Sequence, residues 1–283
     1  GAPPRFKYCL NTSTINGSQL DVLEQVKIAS KTGYDAIEPW IRDIERFQES
    51  GGKLRDLRNA ITDGGLTVES GIAFGNWITD DPQQRQEGLE RCRRDMATLA
   101  AIGGVRIAAP PVGATRGEKL DLDRVAERYA ALLEIGRQEG VVPQLELWGF
   151  STNLSTLAEL LYVAAAAQDR DACLLLDVYH MYKGGSDFQN IGLVPGARMY
   201  CLHMNDYPAV PPRDQIQDKD RVYPGDGVAP LTEILPTLAR GGFAGSLSLE
   251  LFNRSYWELP PEEVARTGLN KMRQCVQAAW GEG

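Results

Sequence analysis

The 283-residue sequence predicts a single α/β domain folded as a (β/α)8 TIM barrel. Eight short apolar runs alternate with longer amphipathic stretches from one end to the other, and count and length both suit eight strand-then-helix units closed on themselves. No composition shift or low-complexity linker divides the chain, so one domain over 1–283 is expected. The alternative, a doubly wound open sheet, usually carries a glycine-rich phosphate turn after its first strand, and Asn11-Thr-Ser-Thr-Ile-Asn-Gly17 has no GxGxxG pattern.

Residues 6–10 are the first predicted strand, followed by a helix over about 19–32 with Leu23, Val26 and Ala29 on one face. Residues 34–38 are the second, stopped by Pro39, which cannot donate to a ladder. Leu54, Leu57 and Ile61 recur at helical spacing, and 66–73 reads as the third strand. Asp80-Asp-Pro82 opens a helix, proline being tolerated in the first turn; Leu89, Cys92, Met96 and Leu99 form its stripe and Gly103-Gly104 ends it. Residues 105–109 are the fourth strand, closed by Pro110-Pro111, and a helix over about 121–139 is capped by Gly140. The fifth strand spans 141–147, with Leu154, Leu157, Leu160 and Leu161 marking its helix. The sixth spans 173–178, and its crossover over 185–197 is short and poorly periodic. Residues 199–204 are the seventh strand, Leu231, Ile234, Leu235 and Leu238 the next helix, 246–252 the eighth strand and 261–280 the last helix.

A net charge of −8 argues against a nucleic-acid partner, which needs a basic face, and gives no support for docking on an anionic membrane. No run approaches the roughly 18 apolar residues that span a bilayer. The five cysteines, an odd number without a CxxC pair, suit buried thiols better than a disulfide framework. Nothing reads as a signal peptide, so a cytoplasmic protein is expected, although Gly1 reads as a cloning scar, which leaves room for a native leader removed before it. Whether the chain forms a homo-oligomer stays open.

The chemistry gathers at the strand ends, where a barrel builds its active site. The only two histidines, His180 and His203, lie at or just past the ends of short apolar runs, each within a few residues of a carboxylate, Asp177 or Asp206. Glu146, Asp177 and Glu250 stand in stretches otherwise built to be buried, and Glu38 and Glu69 lie on the second and third strands. A lone buried carboxylate costs several kcal/mol unless paired or bound to metal. Glu146, Asp177, His203 and Glu250 come from consecutive strands, so they would converge on one point. Three carboxylates and one imidazole suit one divalent ion, Mn²⁺ first, with Co²⁺, Mg²⁺ or Zn²⁺ as alternatives. A salt-bridge layer is the other reading, but the fifth, sixth and eighth strands bring no lysine or arginine. Trp40, Phe74, Trp77, Trp148 and Trp257 lie near the same ends, where aromatic faces stack sugars and exclude water. Glu38 would bind a substrate hydroxyl or pair with Lys7.

Leu145-Glu-Leu-Trp148, Leu176-Asp-x-x-His180, Leu202-His-Met-Asn-Asp206, Arg221-Val-Tyr-Pro-Gly-Asp-Gly227 and Leu249-Glu250 together resemble the sugar phosphate isomerase/epimerase group with a xylose-isomerase-like barrel, which includes ketose 3-epimerases and inositol-catabolism enzymes. The resemblance covers nearly the full length. It implies a metal held by Glu146, Asp177, His203 and Glu250, with His180 and Arg221 on substrate oxygens and the Pro-Gly-Asp-Gly loop presenting Arg221. The substrate would be a small sugar or polyol-derived ketone, with Trp40 and Trp148 against it.

The implied reaction is proton abstraction beside the carbonyl, through a metal-bound cis-enediolate, with Glu146 and Glu250 as acid and base on opposite sides of the carbon. A lyase is the main alternative, since dehydratases of keto-sugars, keto-inositols or dehydroshikimate would use the same cage. A non-catalytic sugar-binding barrel is a further reading, disfavoured by the complete ligand set. The DNA-repair endonuclease branch of the fold has a similar His-x-Asn-Asp motif, but its additional histidines are missing from this chain.

Overall fold

The computed structural model describes residues 1–18 and 20–281. Strands β1 (Lys7–Asn11), β2 (Ala36–Glu38), β3 (Arg106–Ala109), β4 (Val142–Glu146), β5 (Leu174–Asp177), β6 (Met199–Met204) and β7 (Ser246–Leu249) form one sheet in the order β2-β1-β7-β6-β5-β4-β3. Every ladder is parallel.

The gap between β2 and β3 is filled by the third predicted strand, which is corrected here from a regular strand to an irregular stave. On one side Ile37 N–H donates to the Thr67 carbonyl and Ile72 N–H to that of Pro39, both at 2.9 Å. On the other, Gly71 N–H donates to the Arg106 carbonyl (3.1 Å) and Ala108 N–H to that of Gly71 (2.9 Å). The sheet therefore closes into a barrel. A Cβ on Gly71 would meet Leu99 at 2.7 Å, so close packing on the outer helix demands glycine at a position where glycine weakens a strand.

The helices are α1 (Val22–Thr32), α2 (Ile41–Glu49), α3 (Leu54–Asp63), α4 (Pro82–Ala101), α5 (Leu122–Glu139), α6 (Leu157–Ala166), α7 (Val178–Lys183), α8 (Leu231–Arg240), α9 (Arg254–Trp257) and α10 (Pro261–Trp280). The first was expected from residue 19, a start that lies outside the described residues; it is capped at Asp21, whose carboxylate accepts from Leu23 N–H. Asp81 caps α4 ahead of Pro82, and Gly140 ends α5 with a left-handed φ of 75°, as its position requires. Leu154 falls outside α6. The uncertain sixth crossover is short α7 followed by 3-10 turns at Phe188–Leu193 and Gly196–Arg198. Helices α2 and α9 were not foreseen.

Side-chain alternation along the strands fixes what faces inward. Leu174 and Leu176 of β5 pack in the large core between sheet and helices, whereas Leu175 joins a small separate cluster with Trp40, Ile72, Ala108 and Cys201 inside the barrel. Asp177 shares the parity of Leu175. By the same rule Leu145 and Leu147 face out around Glu146, Leu202 and Met204 around His203, and Leu249 and Leu251 around Glu250. The four predicted metal ligands therefore point into the barrel at the carboxyl ends of β4, β5, β6 and β7.

Candidate active site and metal centre

His203 is the centre of the cluster and is fully buried. Its Nε2 lies 2.9 Å and 3.1 Å from the two oxygens of Glu38, which also accepts from Asn11 Nδ2 (3.0 Å) and Ser248 Oγ (2.7 Å). Glu38 thus pairs with neither Lys7 nor the open cleft, against both sequence expectations; Lys7 instead holds Glu69 at 2.6 Å. With Arg106 at 3.8 Å, Glu69 lies away from the candidate site in a local ion pair. Burial would raise Glu38, but the His203 charge and the hydrogen bonds from His203, Ser70 and Ser248 outweigh it and bring the carboxyl down to about 2.

The other imidazole nitrogen, Nδ1, is buried with no hydrogen-bond partner. Around it lie Glu250 Oε1 at 3.4 Å, Asp177 Oδ2 at 3.7 Å and Glu146 Oε2 at 3.8 Å. An orphaned buried nitrogen facing three carboxylates is the arrangement a divalent cation satisfies, and Asp177, His203 and Glu250 bring one donor atom each within 4.8 Å of one another. The residues fit such an ion. Burial raises the carboxyls of Glu146 and Glu250, opposed by His203, and mutual repulsion with their carboxylate neighbours adds to it. Burial also acts on Asp177, but the Arg221 guanidinium and both histidines hold it well below the usual range.

The strands bring no cation to a salt-bridge layer, but the loop after β6 supplies one. Arg221, 1% exposed, donates Nη1 to Asp177 (3.0 Å) and Glu250 (3.1 Å) and Nη2 to Asp218 (2.7 Å). Its guanidinium also lies over the rings of Tyr179 (4.4 Å) and Phe252 (5.0 Å). Asp206 secures this loop: its carboxylate accepts from the N–H groups of Tyr207, Gly225 and Ala229 at 2.8–2.9 Å, and its backbone pairs with Val222. A Cβ on Gly227 would sit 2.4 Å from Asp206 Oδ1.

His180 is buried, and desolvation leads in lowering it to about 4, so its imidazole is neutral at neutral pH. Gly149 N–H donates to Nδ1 (3.1 Å), which puts the ring proton on Nε2. That nitrogen lies 3.0 Å from Arg221 Nη2, a donor facing a donor, and an oxygen seated between them would satisfy both.

Glu146, His180, Arg221 and Glu250 border a cleft of about 210 Å³. An aromatic wall runs round it, with ring centroids 5.3 Å apart for Trp40–Phe74, 6.1 Å for Phe74–Trp148 and 5.3 Å for Trp148–Phe150. Trp77 is no part of it: its Nε1 donates to the Pro110 carbonyl and its ring packs on Tyr129 in the core. Asn11, Ser248 and Asn205 escaped the sequence reading. Asn11 donates to Glu38 and to Glu250 Oε2 (3.0 Å), and Asn205 donates to Asp177 (3.1 Å). Their only signal was polarity at inward strand positions.

A family model described as xylose isomerase-like TIM barrel matches residues 26–275. The chain belongs to that family. Among its relatives is an inosose isomerase of Halalkalibacterium halodurans, 27% identical over 96% of both chains. A 3-dehydroshikimate dehydratase of Pseudomonas aeruginosa is 26% identical, over 92% of this chain and 40% of that longer protein. Among solved structures, the IOLI protein crystallised with a zinc atom superposes with a TM-score of 0.88 at 23% identity, covering 96% of this chain and 98% of the other. Membership accounts for the barrel; the roles of individual side chains rest on their geometry in this chain.

Proposed function

We propose that this protein is a divalent-metal-dependent isomerase or epimerase of a small sugar-derived or cyclitol ketone. The observation that carries the reading is the pair of buried glutamates, Glu146 and Glu250, that approach the unpartnered His203 Nδ1 to 3.8 Å and 3.4 Å. Relatedness to inosose isomerase over almost the whole chain supports the same class. Glu146, Asp177, His203 and Glu250 would hold the ion, and Mn²⁺ is the one proposed for this oxygen-rich set. When bound, the metal supplies Lewis-acid polarisation of a carbonyl oxygen and so acidifies the neighbouring C–H.

The chain's own residues do the rest. Glu38 accepts the Nε2 proton of His203 and so keeps the Nδ1 lone pair turned to the cluster. Glu146 and Glu250 act as base and acid, one taking the proton from the carbon beside the carbonyl and the other returning a proton. Asn11 fixes Glu250 through its second oxygen. His180 Nε2–H and the Arg221 guanidinium donate to substrate oxygens, and the faces of Trp40 and Trp148 stack on the carbon skeleton and exclude water. The narrow cleft suits one ring or short chain.

The acidic balance gives no basis for a nucleic-acid partner, and no helix among the described residues is long and apolar enough to cross a membrane. Five buried, unpaired cysteines support a reducing, cytoplasmic setting. A single domain over 1–283 is part of the same reading.

The second reading is a dehydratase, favoured by the 3-dehydroshikimate dehydratase relative: the same abstraction followed by loss of a β-hydroxyl. Incubating Mn²⁺-loaded protein with inosose, ketoses and 3-dehydroshikimate in D₂O separates them. Deuterium retained beside the carbonyl of a rearranged product supports the isomerase. Release of water with formation of an alkene supports the dehydratase, and no exchange with any of them rejects both.

A further inference from the structure

A second cleft, of about 290 Å³, adjoins the first and shares its Trp40 and Phe252 walls. Its lining is of a different kind: Ser13, Asn16, Arg42 and Arg46, with Trp257 at one side. All of these follow strand ends, on the same face of the barrel as the metal cluster.

The two arginines lie one turn apart on α2 and present the same side of it. Each shares the buried carboxylate of Asp43, at 3.5 Å from Arg42 Nε and 3.7 Å from Arg46 Nη1. Those separations exceed the 2.7–2.9 Å of a charge-assisted hydrogen bond. Among the described residues neither arginine donates a hydrogen bond, so two guanidinium forks stand over one carboxylate with a net positive charge and their donors unspent. The Arg42 guanidinium is held 4.6 Å above the Trp40 ring, which points it along the shared wall.

One further feature favours an anion. Ser13 is 2% exposed, and among the described residues its Oγ has no hydrogen-bond partner although it lines this cleft. A buried hydroxyl left unpaired is costly, and a turn of the Ser13 side chain toward the cleft would let a ligand oxygen satisfy it.

We propose that this second cleft is an anion subsite, taking a carboxylate or phosphate carried by the substrate whose carbonyl end lies beside Glu146 and Glu250. Planar guanidinium forks match the oxygen geometry of both groups. The inference rests on the isomerase or dehydratase reading for the direction of the substrate, and it selects acidic substrates over neutral sugars of the same size.

The test is calorimetric titration in the Glu250→Gln background, where turnover does not consume the probe. Fructose, fructose 6-phosphate and 3-dehydroshikimate are compared at low ionic strength, with and without Arg42→Gln/Arg46→Gln. At least one anionic probe is expected to bind tenfold or more tightly than fructose, with the ratio falling to about one when both arginines are neutralised. Which anion wins identifies phosphate or carboxylate. An Arg42→Lys/Arg46→Lys variant should keep part of the preference, separating charge from damage to α2. Equal affinity for the three probes, no binding of either anion, or a ratio unchanged by the double neutralisation overturns the proposal. Binding is read without catalysis, so a negative D₂O experiment leaves this result standing and the two ideas fail separately.

Discussion

The His203 imidazole joins two sets of carboxylates: Nε2 bonds Glu38 at 2.9 Å, while Nδ1 faces Glu250 at 3.4 Å without a hydrogen bond. The anchor fixes the orientation of the ring, and although the surrounding carboxylates favour its charged form, a cation that displaced the Nδ1 proton would meet a lone pair already directed at the cluster. Removing the anchor should therefore weaken whatever the open side holds. We expect Glu38→Gln to lower Mn²⁺ affinity by about 10–100-fold, the usual cost of losing a carboxylate behind a ligating histidine. Competition against a chromophoric chelator measures this, and unchanged affinity would remove Glu38 from the account.

The glutamate pair sets the catalytic expectation. Glu146→Gln and Glu250→Gln each keep the volume of the side chain but abolish its basicity. Each should lower kcat by about 10²-fold or more, the range for a positioned acid or base, with the far-UV spectrum unchanged. Solvent-deuterium exchange into recovered substrate distinguishes them: the variant lacking the abstracting base exchanges nothing. Wild-type turnover in either variant would refute the two-glutamate mechanism.

Metal removal carries a stability signature as well as an activity one. A cation bound to the folded state alone stabilises it by RT ln(1 + [L]/Kd), about 2.7 kcal/mol at a hundredfold excess over Kd. We expect Mn²⁺ to raise the Tm of chelator-treated protein, and expect Asp177→Asn to blunt the rise. A Tm indifferent to metal would contradict assignment of this cluster as a metal site.

Most of the barrel was legible because strands and helices differ in period, and the inward parity of Glu146, Asp177, His203 and Glu250 follows from the apolar residues beside them. The third stave was misjudged because its pairing is supplied by neighbours on both sides, not by its own sequence. The α2 helix was overlooked although Ile41, Ile44 and Phe47 bury one face, since Pro39 suggested only a stop. The site's second layer was harder. Glu38, Asn11 and Ser248 meet across β2, β1 and β7, with contacts between residues up to 210 positions apart that no local pattern reports. Asp206 looked like a chemical group, and its use as an acceptor for three backbone amides became visible only with the loop in place.

That loop gives a further expectation. Asp206→Ala leaves buried amide donors unpaired, at about 1–3 kcal/mol each where water cannot replace the carboxylate. Arg221, next to the Val222 that pairs with the Asp206 backbone, should lose its register against Asp177 and Glu250. We expect lower thermal stability, faster proteolysis within 218–229 and reduced turnover together. A variant that loses stability while keeping full activity and a protected loop would show that Asp206 does not position Arg221.

A pH effect should arise far from the site, at Asp95 on α4. Its carboxylate is buried and bonded to Arg91 Nε at 2.9 Å, yet Arg91 is 42% exposed and shared with Glu45. Desolvation outweighs the attraction of Arg91 and raises the Asp95 carboxyl from its ordinary value of 3.8 to about 6. Between those values the folded protein holds a proton that the unfolded chain releases. Folding is therefore favoured at the acid end, and stability falls as pH rises through this window, by up to about 3 kcal/mol at 1.36 kcal/mol per unit. Asp95→Asn removes the titration. The difference in unfolding free energy between variant and wild type should grow in favour of asparagine from pH 4 to pH 7, measured by urea denaturation at each pH, and parallel curves would mean that Arg91 compensates the buried charge in full.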